Sequence, residues 1–361
     1  MKVAIVYDRL NKWGGAERVL LAFHELFPGA VWYTSVWDPR VATFSANWDV
    51  HTSWLNKIPF LRHLHEWMPY LMPYIFESFD LASYDLIISI SSESAKGVIT
   101  KPGTIHLNYC LTPTRYLYSH TGVYLKQNPI YRLVANVLRK WDQVAATRPD
   151  EMIAISTQVK NRIQKYYNRD SEVIFPPIDI KIFSPSPQGL TLRGDYYLVV
   201  SRLVPYKNID QIVKAFNKLP DKKLVIIGVG SESAKLRKLA GPNITFLGQV
   251  EESALVGYYA RAKAFIQANI EDFGLAMVEA QAVGIPVIAK RGGGANDIVL
   301  DGATGLLYDG KGAGALILAI TQFETQTFAK AACRANAQRF DTHIWQRKIM
   351  ERVTNLCQNK I

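Results

Sequence analysis

Residues 271–279 read Glu-Asp-Phe-Gly-Leu-Ala-Met-Val-Glu, two glutamates framing seven residues with a glycine among them. A short apolar run, Ala264–Ile266, stands in front. Leu275–Val283 has the length and composition of a helix, and Pro286–Ala289 is the next apolar run. Short runs without polar alternation are what a strand buried on both faces requires, so strand, helix, strand here implies a parallel sheet. Towards the N-terminus the alternation continues. Tyr197–Val200, Leu224–Ile227 and Ile244–Leu247 read as strands, and Asn208–Leu219, Ser231–Leu239 and Ser253–Ala262 as helices. Further out lies a second series. Lys2–Tyr7, Ala30–Tyr33, Asp85–Ser89, His106–Tyr109 and Met152–Ile155 are strand candidates, and a helix over Ala16–Phe27 follows the first. Pro176-Pro177 and Ser184–Gly189 form a stiff polar interruption between the series. The expectation is an α/β chain of two doubly wound, Rossmann-like domains, residues 1–180 and 190–340. A last helix is expected within 341–361.

Composition agrees with this reading. A chain of 361 residues accommodates two domains. With 48% hydrophobic and 20% charged residues it can build cores, which argues against disorder. No window of ~18 uncharged apolar residues is present, so no spanning helix is expected. The opening residues, Met1 to Asp8, do not read as a signal peptide. Three cysteines, Cys110, Cys333 and Cys357, lack metal-ligand spacing and fit a reduced, cytosolic protein. The net charge of +11 suits an anionic partner: nucleic acid, anionic lipid or a phosphorylated small molecule. No run of five Lys or Arg supports nucleic acid.

Four motifs can carry chemistry. Gly14-Gly15-Ala16-Glu17-Arg18 joins the first strand to the first helix, where free amides and the helix dipole suit an anion; the other reading is a tight turn. Ser201-Arg202-Leu203-Val204-Pro205-Tyr206-Lys207 follows the first strand of the second series. Arg202 and Lys207 together can neutralise a diphosphate; alternatively they are a solvated surface pair. Gly228 and Gly230 end another strand and allow close approach of a base or phosphate, or make a plain turn. In the 271–279 stretch, Glu271 and Glu279 can accept from sugar and ribose hydroxyls while the amides of Gly274 to Ala276 face phosphate; the other reading is an amphipathic helix. Trp54–Phe79 mixes aromatics with Lys57, Arg62, His63 and His65. That mixture suits a membrane interface or an interdomain-facing helical hairpin.

The order of these pieces, with Gly284-Ile285-Pro286-Val287-Ile288-Ala289 and Asp301-Gly302-x-x-Gly305 behind them, resembles retaining GT-B glycosyltransferases of family four over nearly the whole chain. Tyr70-Leu71-Met72-Pro73 and Tyr109-Cys110-Leu111-Thr112-Pro113-Thr114-Arg115-Tyr116 further resemble a mannosyltransferase-like branch that builds bacterial surface polysaccharide. The resemblance implies two Rossmann-like domains facing across a cleft, an N-terminal acceptor domain, a C-terminal nucleotide-sugar domain, and a C-terminal helix packing back on the first. It implies catalytic roles for Arg202, Lys207 and Glu271. It implies a donor site of Gly14, Gly15, Leu111, Arg115, Gly228, Gly230, Phe273, Gly274, Leu275, Ala276 and Glu279. The acceptor would be a glycan or lipid-linked sugar, reached in the cytoplasm or at the inner face of the cell membrane. At position 111 such enzymes usually carry a histidine that approaches the C6 hydroxyl of the donor sugar. Leucine there implies a 6-deoxyhexose or pentose donor, unless His106 or His120 substitutes or activity is low.

No Asp-x-Asp and no His/Cys cluster is present, so neither metal nor cofactor is expected, and Arg202, Lys207 and helix dipoles must supply the positive charge. No nucleophile stands out, which agrees with the front-face attack that the resemblance to retaining enzymes implies. An epimerase of similar shape would need acid/base groups that are not apparent. A catalytically weak nucleotide-sugar or glycan binder remains the alternative.

Overall fold

The computed structural model describes residues 1–12, 14–58, 68–119, 129–183 and 194–359. It divides into two compact units: Met1–Phe175 with Trp345–Ile361, and Pro176–Ile344.

The first unit holds one parallel sheet of β1 (Val3–Tyr7), β2 (Val31–Thr34), β3 (Val50–Thr52), β4 (Leu86–Ser91), β5 (Ile105–Cys110), β6 (Glu151–Ala154) and β7 (Glu172–Val173), in the order β3-β2-β1-β4-β5-β6-β7. β1 pairs on both sides, Ile5 lying opposite Trp32 and Ile88. The strand order reverses between β1 and β4, and the loops at their carboxyl ends diverge there. All of β4 and β5 is buried, as central strands covered on both faces must be. Two edge strands went unread in the sequence. β3 is Val50-His51-Thr52 and β7 only Glu172-Val173, too short and polar to show a pattern.

One face of this sheet packs against Met72, Ile75 and Phe76 of the helix Met72–Glu77, with Leu55. Part of the aromatic stretch is therefore core, while Trp54, Ile58, Tyr70 and Tyr74 stay exposed, Tyr74 at 72%. Phe60, Arg62, His63, His65 and Trp67 lie outside the described residues. On the helix Gly15–Leu26, Phe23 meets the rings of Tyr109 and Trp345 edge-on, at 5.4 and 4.6 Å. Trp345 belongs to the helix Thr342–Asn359, whose Arg352 bridges Glu151 and Glu172 at 2.5 and 3.0 Å.

The second unit repeats the plan with β8 (Tyr196–Val200), β9 (Lys223–Ile227), β10 (Ile244–Gly248), β11 (Ala264–Gln267), β12 (Val287–Lys290) and β13 (Gly305–Tyr308), all parallel, in the order β10-β9-β8-β11-β12-β13. Its reversal lies between β8 and β11. β13 was missed because glycines at 302 and 305 read as turn punctuation. Ile212, Val213 and Phe216 of the helix Ile209–Phe216 and Leu316, Ile320 and Phe323 of the helix Gly312–Glu324 join the sheet in one core. The helix Leu275–Val283 is buried at every position from Met277 onward, so it is a core helix and not an amphipathic one. Among the described residues no helix is long and apolar enough to cross a membrane.

Candidate functional site

The second sheet positions its chemistry where β8 and β11 end side by side, at the strand-order reversal. β11 stops at Gln267, and Asn269 and Glu271 follow it in the loop. Gln267 Nε2 and Asn269 Nδ2 donate to Glu271 Oε1 at 3.1 and 3.0 Å. From the β8 side, Ser201 to Val204 lead into a single turn, Pro205–Lys207. Lys207 Nζ forms an ion pair with the same Glu271 oxygen. The two side chains are 14% and 17% exposed, which leaves the pair accessible yet partly shielded from solvent screening.

Lys207 also lies over the Tyr206 ring, 5.4 Å from its centre, and Arg202 donates to the Tyr206 hydroxyl at 2.6 Å. Tyr206 thus touches both cations, while its own ring and Arg202 stay exposed.

Glycine is required here for chain packing. A Cβ at Gly228, whose φ is +130°, would lie 1.9 Å from the Ser201 carbonyl oxygen, and one at Gly230 would lie 2.2 Å from that of Leu203. The contact these glycines demand is with the Arg202 loop itself. Gly293 plays the same part on the other side, as a Cβ there would lie 2.0 Å from the Glu271 carbonyl oxygen. The Gly292–Gly294 loop after β12 therefore backs the Glu271 loop.

Gly274 opens the helix Leu275–Val283, and Leu275 and Ala276 provide partly exposed first-turn amides. Phe273 contributes only backbone to this end, since its ring packs on Phe340 at 5.6 Å inside the unit. Glu279 sits two turns on, buried, and accepts from the Tyr259 hydroxyl at 2.7 Å.

Gly14, Gly15, Leu111 and Arg115 belong to the first unit. Gly14 and Gly15 begin the helix Gly15–Leu26, and Glu17 is buried in its first turn. Leu111 follows β5, buried, with its amide donating to the Ser91 carbonyl at 2.8 Å. Arg115 starts the turn Arg115–Tyr118. His106 does not stand in for a histidine at 111. It lies near the other end of β5, buried and bonded to Ser89 Oγ at 2.8 Å. His120 lies outside the described residues. At the reversal of this sheet Asp8 accepts from the amides of Ser92, Glu93, Ser94 and Ala95 at 2.7–2.9 Å, so an acid of the chain itself fills that amide cradle.

Reading the sequence missed Gln267, Asn269, Tyr206 and Tyr259. The first two left a trace, polar residues two and four before a glutamate in an otherwise apolar strand. The tyrosines left none, because an aromatic in a helical or loop segment reads as packing. Among the described residues no three His, Cys, Asp or Glu side chains are grouped to hold a metal ion.

Residues 184–340 match the family model of glycosyl transferases group 1. A GDP-mannose-dependent monoacylated alpha-(1-6)-phosphatidylinositol monomannoside mannosyltransferase of Corynebacterium glutamicum is 32% identical over 209 residues, 51% of this chain and 55% of that protein. A D-inositol 3-phosphate glycosyltransferase of a Mycobacterium species is 31% identical over 198 residues, 48% of this chain and 44% of that protein. The chain spans about half the length of the curated relatives it matches. Among solved structures, Anabaena HepE in complex with UDP-glucose superposes with a TM-score of 0.71 at 19% identity, covering 98% of this chain and 100% of that one. The apo lipopolysaccharide outer core galactosyltransferase WaaB gives 0.65 at 18% identity, with both chains fully covered. At these identities the likeness is one of fold. Residues 184–340 are thus similar to the glycosyl transferases group 1 family, and the two-sheet plan is that of the GT-B fold.

Proposed function

We propose that this chain is a glycosyltransferase that moves a sugar from a nucleotide-sugar to a glycan or lipid-linked acceptor, with retention and without a metal ion. The Lys207–Glu271 pair at the carboxyl ends of β8 and β11 carries the reading. Lys207 and Arg202 supply positive charge for a leaving diphosphate, the role a divalent cation plays elsewhere. Glu271, held by Gln267 and Asn269, accepts from donor-sugar hydroxyls. The first-turn amides of Leu275 and Ala276 face phosphate, and Glu279 takes the ribose. In the transfer the bond from the anomeric carbon to the phosphate oxygen breaks, its electron pair staying on that oxygen. The acceptor oxygen bonds the anomeric carbon on the same face, and its proton passes to the departing phosphate oxygen.

Two features narrow the donor. The relatives named above include a GDP-mannose-dependent enzyme. Leu111 offers no hydrogen bond to a C6 hydroxyl. A GDP-linked 6-deoxyhexose meets both conditions. Exposed Trp54, Ile58, Tyr70 and Tyr74, with a net charge of +11, favour peripheral contact with an anionic membrane face, where a lipid-linked acceptor resides. Sedimentation with anionic vesicles should fall several-fold in a Trp54→Ala/Tyr74→Ala variant, and unchanged sedimentation would remove the membrane from the proposal.

The test of function is a donor panel without added metal: GDP-mannose, GDP-fucose, GDP-rhamnose, UDP-glucose and UDP-xylose, read by thermal shift and hydrolysis. One donor class should stabilise the chain, since a ligand that binds only the native state shifts unfolding. Glu271→Gln and Lys207→Met should each abolish hydrolysis. No stabilisation by any nucleotide-sugar would leave the fold without this activity.

A further inference from the structure

A glutamate buried beside a helix axis needs a reason to stay there. Glu279 is 5% exposed on the helix Leu275–Val283, whose residues from Met277 onward are all buried. Removing a carboxylate from water is costly unless hydrogen bonds replace the lost hydration. Tyr259 supplies one. It is 0% exposed on the neighbouring helix Glu252–Arg261, and its hydroxyl donates to Glu279 Oε2 at 2.7 Å. A phenol donating to a carboxylate at this length is a charge-assisted bond, stronger than a neutral one.

The tyrosine is itself held. Its ring lies 6.0 Å from Phe265 on β11 and 6.3 Å, edge-on, from Phe183. With the ring walled by aromatics, the hydroxyl cannot swing away without opening the core. The direction of the bond is therefore set by packing, before any ligand arrives. Fixing one oxygen of a carboxylate fixes the rotation of its plane, and with it the direction from which a pair of adjacent hydroxyls can donate.

We infer that Tyr259 is a positioning residue for the nucleoside: it aims the Glu279 carboxylate at the vicinal ribose hydroxyls of a nucleoside diphosphate. The inference rests on the donor-site reading above. Tyr259 touches no ligand and acts through Glu279, so it governs how well ribose is distinguished from deoxyribose, not the bond-breaking step.

The test is calorimetric titration of the full chain with GDP, UDP and their 2′-deoxy forms, comparing wild type, Tyr259→Phe, Glu279→Gln and the double variant. Tyr259→Phe keeps the ring and removes only the hydroxyl. It should weaken ribonucleotide binding about tenfold and leave the 2′-deoxy nucleotides nearly unaffected. In turnover, KM for the donor should rise while kcat holds, as for contacts made equally in ground and transition states. The double variant should bind no worse than Glu279→Gln alone, because the two residues act as one unit. Glu279→Asp, which draws the carboxylate back from the phenol, should give the same ribose-specific loss. Binding stoichiometry reports the folded fraction, so a misfolded variant is distinguished from a weak one. Equal loss of ribo- and deoxyribonucleotide affinity in Tyr259→Phe, or a lowered Tm with unchanged affinity, overturns the inference alone. An unaltered ribonucleotide affinity in Glu279→Gln overturns both the inference and the ribose role on which it stands.

Discussion

Leu111 is the residue at which chemistry and packing can be separated by one substitution. It is buried after β5 and its backbone amide is already spent on Ser91. In the proposed donor site its side chain is the part that would select a sugar. A donor hydroxyl left unpaired against leucine loses on the order of 1–3 kcal/mol, roughly 5- to 150-fold in affinity. Leu111→His should therefore raise turnover of a 6-hydroxy donor relative to its 6-deoxy counterpart by about tenfold, measured as a ratio of kcat/KM. Equal kcat/KM for GDP-mannose and a GDP-6-deoxyhexose in the wild type would remove the selection. Lys207, Glu271 and Glu279 were singled out in the sequence by the order of the motifs that hold them. Their partners were not. That Lys207 and Glu271, sixty-four positions apart, meet on one oxygen is a property of β8 lying next to β11, which no local pattern encodes.

At the scale of the element, loops carry the site and glycines allow the loops to touch. The Gly292–Gly294 loop presses against the carbonyl of Glu271, and Gly293 has φ of +61°. Gly293→Ala places a Cβ where a backbone oxygen stands. Such strain costs on the order of 1–3 kcal/mol and must push the Glu271 loop away from Lys207. The variant should lose both thermal stability and nucleotide-sugar affinity, checked by scanning calorimetry and titration. A stable variant with full affinity would show that the two loops move independently. Long buried strands and the helices between them were legible, since burial on both faces writes continuous apolar runs. The edge strands β3 and β7 were not, because an edge needs few residues and tolerates polar ones, and β13 was hidden by the glycines at 302 and 305. The Glu-x7-Glu helix was read as amphipathic in one of its two alternatives; its burial from Met277 to Val283 removes that alternative.

At the scale of the molecule, the two units respond to acid through different carboxylates. In the second, Glu324 lies between Lys263 and Tyr197, which both donate to it. Burial pushes its carboxyl up, but these donors and the charges of Lys263 and Lys222 outweigh burial and hold it below its ordinary value of 4.5. A carboxyl depressed in the folded state stabilises that state above its unfolded value and stops doing so as pH falls through the folded one. Stability tied to Glu324 is thus present at neutral pH and lost below about pH 4.5. Glu77 in the first unit follows the same sign, with burial outweighed by Trp141 and Arg148 at 2.7 and 2.6 Å. Glu324→Gln should lower the Tm at pH 7 and flatten its fall between pH 5 and 3, leaving the contribution of Glu77 intact. An unchanged acid limb would exclude Glu324 as a source.

The return of the chain to its starting unit has a consequence for synthesis. Trp345 closes an aromatic cluster with Phe23 and Tyr109, and Arg352 ties Glu151 and Glu172, yet both arrive only after residues 176–344 have left the ribosome. The second unit is in effect an insertion within the first. It can complete its core while the earlier unit still waits, with Phe23 and Tyr109 uncovered, for its last helix. The first unit therefore completes its packing out of sequence order, and until residue 345 emerges Phe23 and Tyr109 lack their last aromatic neighbour.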